Sequence, residues 1–180
     1  MSNTTNPSDS IHLESSVYDG VSELNDQYLT FHLEKQLYGV SINYVEQIIS
    51  MQPVTEVPEY PPYAKGIVSL RGSIIPIIDL RMRLGRTETV YTERTCIVII
   101  NIGEYQLGCI VDEVDAVVHV ADSQIEPPPR MKEAGTTNRY LTGIARLPSE
   151  DGIGEKIVLC LDLTKILLQD EFDALANAAF

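Results

Sequence analysis

The chain has 180 residues, 44% of them hydrophobic, which suits one compact domain or two very small ones and is too apolar for a disordered chain. Its 13 basic and 26 acidic residues give a formal net charge of -13. Nucleic acid and anionic lipid surfaces are both gripped through clustered Lys and Arg, so neither is expected as a partner, and any membrane link should run through another protein.

Residues 1–26 hold five acidic residues and no basic one, and are expected to form a mobile acidic tail. Within it Val17, Val21 and Leu24 have only a weak helical spacing. The opening residues carry neither a basic nor an apolar signal region. No apolar run approaches the roughly 20 residues a membrane helix needs, so a cytoplasmic protein is expected. From Gln27 the texture changes to short, β-branched apolar runs punctuated by Gly and Pro. Ten strands are expected, at 28–33, 37–42, 52–57, 66–70, 74–80, 96–102, 105–111, 116–121, 143–147 and 157–163. A brief helix is expected over 43–49, and Thr164 is placed as the N-cap of a C-terminal helix reaching about residue 176. In that helix Leu168, Phe172 and Leu175 would form the packed face.

The elements repeat in order. Tyr38-Gly39-Val40-Ser41-Ile42 matches Leu107-Gly108-Cys109-Ile110-Val111 at an offset of 69, which also places Val45 on Val114 and Ile48-Ile49 on Val117-Val118. Tyr63-Ala64-Lys65-Gly66-Ile67 recurs as Tyr140-Leu141-Thr142-Gly143-Ile144 at an offset of 77, and Ile74–Leu80 recurs as Ile157–Leu163 at 83. The offset grows only around 128–139 and 148–156, where the second copy has longer loops. A five-strand unit used twice is therefore expected. Five short strands avoid open edges by closing into a barrel. Two barrels of about 60 residues each would gain by sharing a core. The near-continuous apolar run 97–100 fits strands covered on both faces. On this reading residues 27–86 form the first barrel, 94–164 the second and 165–176 the terminal helix, with 87–94 as the crossover.

Catalytic chemistry is not expected. His12, His32 and His119 have no Cys, Asp or Glu at a metal-ligand spacing, and Gly152-Ile153-Gly154 lacks the rest of a phosphate loop. Cys109 with His119 would be the only nucleophile–base pair to consider, and a strand Cys in an apolar run reads better as core. Cys96 and Cys160 also lie in apolar stretches, and all three thiols are expected buried and reduced. Asp79 and Asp162 end equivalent strands and read as acceptors of backbone N–H groups rather than as a catalytic pair. Pro76 removes a ladder donor where the second copy has Leu159, so the two barrels should differ in where their edges lie. Arg71-Gly72 falls at a turn between two strands. Gly72 supplies the positive φ, and Arg71 reads either as a solvated turn residue or as a guanidinium held to meet a partner's carboxylate.

The stretch Lys65-Gly66-Ile67-Val68-Ser69-Leu70-Arg71-Gly72-Ser73-Ile74-Ile75-Pro76-Ile77-Ile78-Asp79-Leu80-Arg81 resembles the hallmark Asn-Leu-Arg-Gly…Pro…Asp-Leu-Arg run of CheW-like domains. Tyr38-Gly39-Val40, Val45, Gly108, Val111–Val114 and Tyr140–Gly143 continue the likeness, over about residues 27–170. The resemblance implies a mainly β fold of two five-stranded SH3-like barrels. It also implies a non-catalytic chemotaxis adaptor without cofactor or metal, bridging methyl-accepting chemoreceptor cytoplasmic tips to the regulatory domain of the histidine kinase CheA. It places the receptor- or kinase-binding surface at Val45, Glu46, Gln47, Leu70 and Arg71, and makes Gly66, Gly72, Gly108 and Gly143 fold-keeping glycines. The chain departs from the family pattern in having Ser69 for Asn, and Gln47 for Glu with Glu46 one place earlier. The alternative is an SH3-like protein-binding module of another signalling system.

Overall fold

The computed structural model describes residues 26–129 and 139–178; the expected acidic tail, apart from Asp26, and most of the longer loop expected at 128–139 lie outside them. The first repeat supplies β1 (Gln27–Leu33), β2 (Gln36–Ser41), β3 (Val45–Ser50), β4 (Ala64–Leu70) and β5 (Ser73–Asp79), followed by the short helix α1 (Leu80–Arg83). The second supplies β6 (Cys96–Ile102), β7 (Tyr105–Val111), β8 (Glu113–His119), the two-residue β9 (Ile125–Glu126), β10 (Leu141–Pro148) and β11 (Glu155–Leu161), then the helix α2 (Gln169–Ala178).

Three expected elements differ. Residues 43–49 are not helical: Ser41 caps a single 3-10 turn, Ile42–Tyr44, and β3 follows. The spacing of Val45, Ile48 and Ile49 looked helical, but pairing of β3 with Cys96–Ile100 of β6 outweighs that local pattern. The expected strand over 52–57 reduces to one bridge, Thr55 to Ile67. At the C-terminus Asp162, not Thr164, caps a 3-10 turn (Leu163–Lys165), and α2 starts later than expected. Leu168 thus precedes the helix and is exposed, whereas Phe172 and Leu175 are buried.

The sheets cut across the repeats. One has the order β3-β6-β7-β5-β4 (barrel I), the other β8-β1-β2-β11-β10-β9 (barrel II). Each barrel combines the first two strands of one repeat with the later strands of the other, so pairing crosses the boundary expected at 87–94. Both orders close on themselves. β8 and β9 are successive pieces of one segment, pairing with β1 at one end and β10 at the other. In barrel I the segment after β3 bends so that Thr55 exchanges two 2.9 Å backbone hydrogen bonds with Ile67 of β4. Each barrel is therefore five segments round, with no free edge along that seam.

The bend brings backbone against backbone, and glycine permits it. A Cβ on Gly66, whose φ is +142°, would lie 2.0 Å from the Thr55 carbonyl oxygen. A Cβ on the equivalent Gly143 would meet the Glu126 oxygen at 2.9 Å and the Ile125 side chain at 2.4 Å. Pro76 also finds its reason. β5 pairs with β7 only from Ile77 onward, so the missing donor faces the unpaired stretch of that edge. In the second copy Leu159 stands at this position and pairs with Tyr38.

Three apolar clusters result. Val68, Ile75, Ile77, Ile97, Ile99 and Ile110 fill barrel I, and Leu37, Val120, Ala145, Leu147, Val158 and Cys160 fill barrel II. The largest lies between them and joins Leu29, Phe31 and Tyr38 of barrel II to Ile78, Val98, Ile100 and Leu107 of barrel I, with Phe172 and Leu175 of α2. Alternate residues of β6 thus serve different cores, which is why 97–100 carries no polar face.

Gly66→Ala should lower the unfolding free energy by about 3 kcal/mol and Gly143→Ala by about 2, because backbone must move to admit the methyl. Gly72→Ala, at a turn with open space around it, should cost only about 1 kcal/mol for its positive φ. Urea unfolding curves check the order, and equal losses at Gly66 and Gly72 would contradict the closure argument.

Candidate partner-binding site

The β4–β5 hairpin is closed by two residues, Arg71 and Gly72, since Leu70 pairs directly with Ser73. Both have positive φ, +51° and +83°, as the mirror-image turn of a tight hairpin requires. This geometry holds the exposed Arg71 off the end of a rigid two-stranded arm. Of the 11 Lys and Arg among the described residues, nine have an ion pair, hydrogen bond or ring contact. Only Lys35 and Arg71 lack one, and both lie on two-residue hairpin turns. In a chain this acidic, a guanidinium without an internal carboxylate stands out.

The other expected site residues fall on two strands, Val45, Glu46 and Gln47 on β3 and Leu70 on β4, and take different roles. Val45 and Gln47 are half-buried on β3, with Val45 packing on the central cluster. Glu46 is exposed, beside an irregularity in the β3–β6 register, and its carboxylate accepts a 2.6 Å hydrogen bond from the Gln106 amide. Leu70 is half-buried and packs with Ile49 and Met51 on the barrel I cluster. Barrel closure links them: β3 and β4 stand at opposite ends of the sheet order, and the Thr55 bridge brings the segment that follows β3 onto β4. The four glycines sit apart from this surface in role. Gly108 lies where a Cβ would meet Ile77 at 2.4 Å, and Gly72 has open space.

The sequence reading missed the outward apolar residues. Ile48 (43% exposed) and Ile74 (38%) face solvent on barrel I. On barrel II the same is true of Val117 (54%) and Ile157 (41%). The repeat offsets of 69 and 83 carry the first pair onto the second. That equivalence was available in the sequence, but their exposure was not, because an apolar strand residue does not by itself show which face the barrels leave uncovered.

The residues considered for chemistry do not converge. Cys109 is fully buried in the central cluster, and burial pushes its thiol up to about 12. Burial likewise pushes Cys160 up to about 11. Cys96 is only half-buried, a correction to the expectation of three buried thiols. His119 faces Asp26 at 3.6 Å instead of a cysteine. Asp79 and Asp162 cap the turns that follow their strands, accepting from Met82 N–H at 3.3 Å and Thr164 N–H at 3.0 Å. Among the described residues no three His, Cys, Asp or Glu side chains are grouped to hold a metal ion.

A family model described as CheW-like domain matches residues 27–171. The chain belongs to the CheW-like family. It is similar to the chemotaxis protein CheW of Klebsiella aerogenes, at 33% identity over 87% of this chain and 90% of that protein. It is also similar to CheW of Treponema pallidum, at 32% identity over 87% and 91%. Among solved structures it superimposes on the scaffolding protein TtCheW of Thermoanaerobacter tengcongensis with a TM-score of 0.66 and 31% identity, covering 77% of this chain and 89% of that one. The two closed barrels are thus the SH3-like pair of this family. Among the described residues no helix is long and apolar enough to cross a membrane.

Arg71→Ala should change the unfolding free energy by less than about 0.5 kcal/mol, since an exposed side chain without partners supports nothing in the fold. A thiol reagent at mildly alkaline pH should modify Cys96 alone in the native protein, and all three cysteines after denaturation. Rapid native labelling of Cys109 would refute its placement in the core.

Proposed function

We propose that this chain is a non-catalytic chemotaxis adaptor. It couples chemoreceptor cytoplasmic tips to the regulatory domain of the histidine kinase CheA, within membrane-associated signalling arrays that it joins through protein contacts alone. The observation that carries this reading is the duplication of an exposed apolar position on two barrels fused through one core: Ile48 and Ile74 on one, Val117 and Ile157 on the other. A single rigid body with two similar outward faces can hold two proteins at a set separation, and needs no reaction to do so. Membership of the CheW-like family supports the same role, and the scaffolding description of the Thermoanaerobacter relative agrees with it.

Arg71 gives the receptor side its chemistry. A planar fork on a stiff turn, with the exposed Ile74 on the same hairpin, suits a partner that offers a carboxylate next to an apolar stripe. Loss of a charge-assisted, partly desolvated contact costs about 1.5–3 kcal/mol, so Arg71→Ala should weaken binding of receptor tips by that amount. Arg71→Lys should recover only part, because an ammonium cannot form the paired contact. Titrations of both variants with receptor tips, beside their unfolding curves, test this. Normal binding by Arg71→Ala would remove Arg71 from the site.

A further inference from the structure

We infer that Arg81 and Asp112 form an orientation lock between the two barrels. The pair acts as a positioning device for two-sided binding and not as a stabilising contact. Its consequence for coupling rests on the proposed function; the lock itself does not.

Arg81 lies on α1, directly after β5 leaves barrel I. Asp112 is the one residue between β7, in barrel I, and β8, in barrel II. The Arg81 side chain is only 8% exposed, and its terminal nitrogens donate to Asp112 and to the Thr89 hydroxyl. The same Asp112 oxygen accepts from the Glu34 N–H at 2.6 Å, and the Asp112 N–H donates to the His32 carbonyl at 3.1 Å. Glu34 and His32 belong to the β1–β2 arm of barrel II. One carboxylate therefore ties an arginine fixed to barrel I to a hairpin of barrel II, at the point where the chain passes between them.

Two features separate a lock from ordinary packing. Arg81 Nε is buried and meets no protein acceptor, so the pair is incompletely satisfied. A buried ion pair of that kind gives little net stability over apolar residues, while its directional bonds admit only one arrangement of their carriers. The repeat supplies the second feature. The equivalent joint, where β2 of barrel II leads to β3 of barrel I, has Asn43 in place of Asp112, and Thr164 in place of Arg81. Neither carries charge. The duplicated fold forms both joints, so the charged pair is not needed to make one; it was added to, or kept at, one side. Arg86 reinforces that side by pairing with Glu34 at 2.9 Å and donating to the Tyr38 hydroxyl at 3.3 Å.

The test replaces both charges, Arg81→Met with Asp112→Asn, so that no charge is left buried alone and the amide still accepts from Glu34. Nitroxide labels go on Ser50→Cys in barrel I and Ser123→Cys beside barrel II, both exposed, in a Cys96→Ser background. Pulsed electron spin resonance should show a narrow distance distribution in the parent protein and a broadened one in the double variant, with melting temperatures alike. Arg81→Lys, which keeps the charge without the fork, should give intermediate width. In titrations the double variant should bind receptor tip or kinase regulatory domain singly as the parent does, but bind both at once about tenfold more weakly. A distribution as narrow as the parent's, or a double variant that no longer folds, overturns the lock. A parent protein that binds neither partner refutes the coupling role instead, and leaves the distance measurement to decide the lock.

Discussion

A sheet of five short strands has two rows of unpaired N–H and C=O groups unless its ends meet, and each barrel here meets its own end through one bent segment. In barrel I that segment runs from β3 to Thr55, and in barrel II from β8 to β9. The bend needs backbone within contact distance of backbone, and so depends on Gly66 and Gly143 having no Cβ. Closure also shapes the candidate site, because it brings the segment that follows β3 onto the hairpin that ends in Arg71. Without it, Gln47 and Arg71 would sit at opposite margins of an open sheet.

The exchange of strands between repeats has a second consequence. Each barrel is completed by the other half of the chain, so neither repeat holds all five segments of its own barrel. The central cluster then buries the inner faces of both, with aromatic Phe31 and Tyr38 stacked 6.1 Å apart. The two outward faces are therefore carried on one continuous core. For a protein whose work is to hold others in place, rigidity between the faces matters as much as affinity at either one.

Duplication gave the chain two similar halves, and point differences have made them unequal. Pro76 opens the β5–β7 edge where Leu159 keeps the corresponding β2–β11 pairing. Arg71 tips one hairpin, where the other copy has a longer loop bearing the exposed Ile153. Arg81 and Asp112 are charged where the equivalent positions hold the uncharged Thr164 and Asn43. The proposed coupling of two different partners would need such inequality, since identical faces would not tell them apart.

Much of this was legible in the residues. The ordered repeats at offsets 69, 77 and 83 gave the five-strand unit, and the apolar run 97–100 gave a strand buried on both sides. Arg71-Gly72 gave the tight turn, because turn chemistry is local and two positive φ values restrict the residue choice. The strand β3 was not legible: Val45, Ile48 and Ile49 fit a helical spacing, and only pairing with β6 settles the conformation. Nor was the exchange, since a sequence repeat shows which segments are equivalent but not which equivalents pair. Hydrophobic pattern and turn residues act over a few positions and can be read along the chain. Barrel closure and strand exchange join segments tens of residues apart, where several pairings satisfy the same pattern and only burial of a single shared core chooses among them.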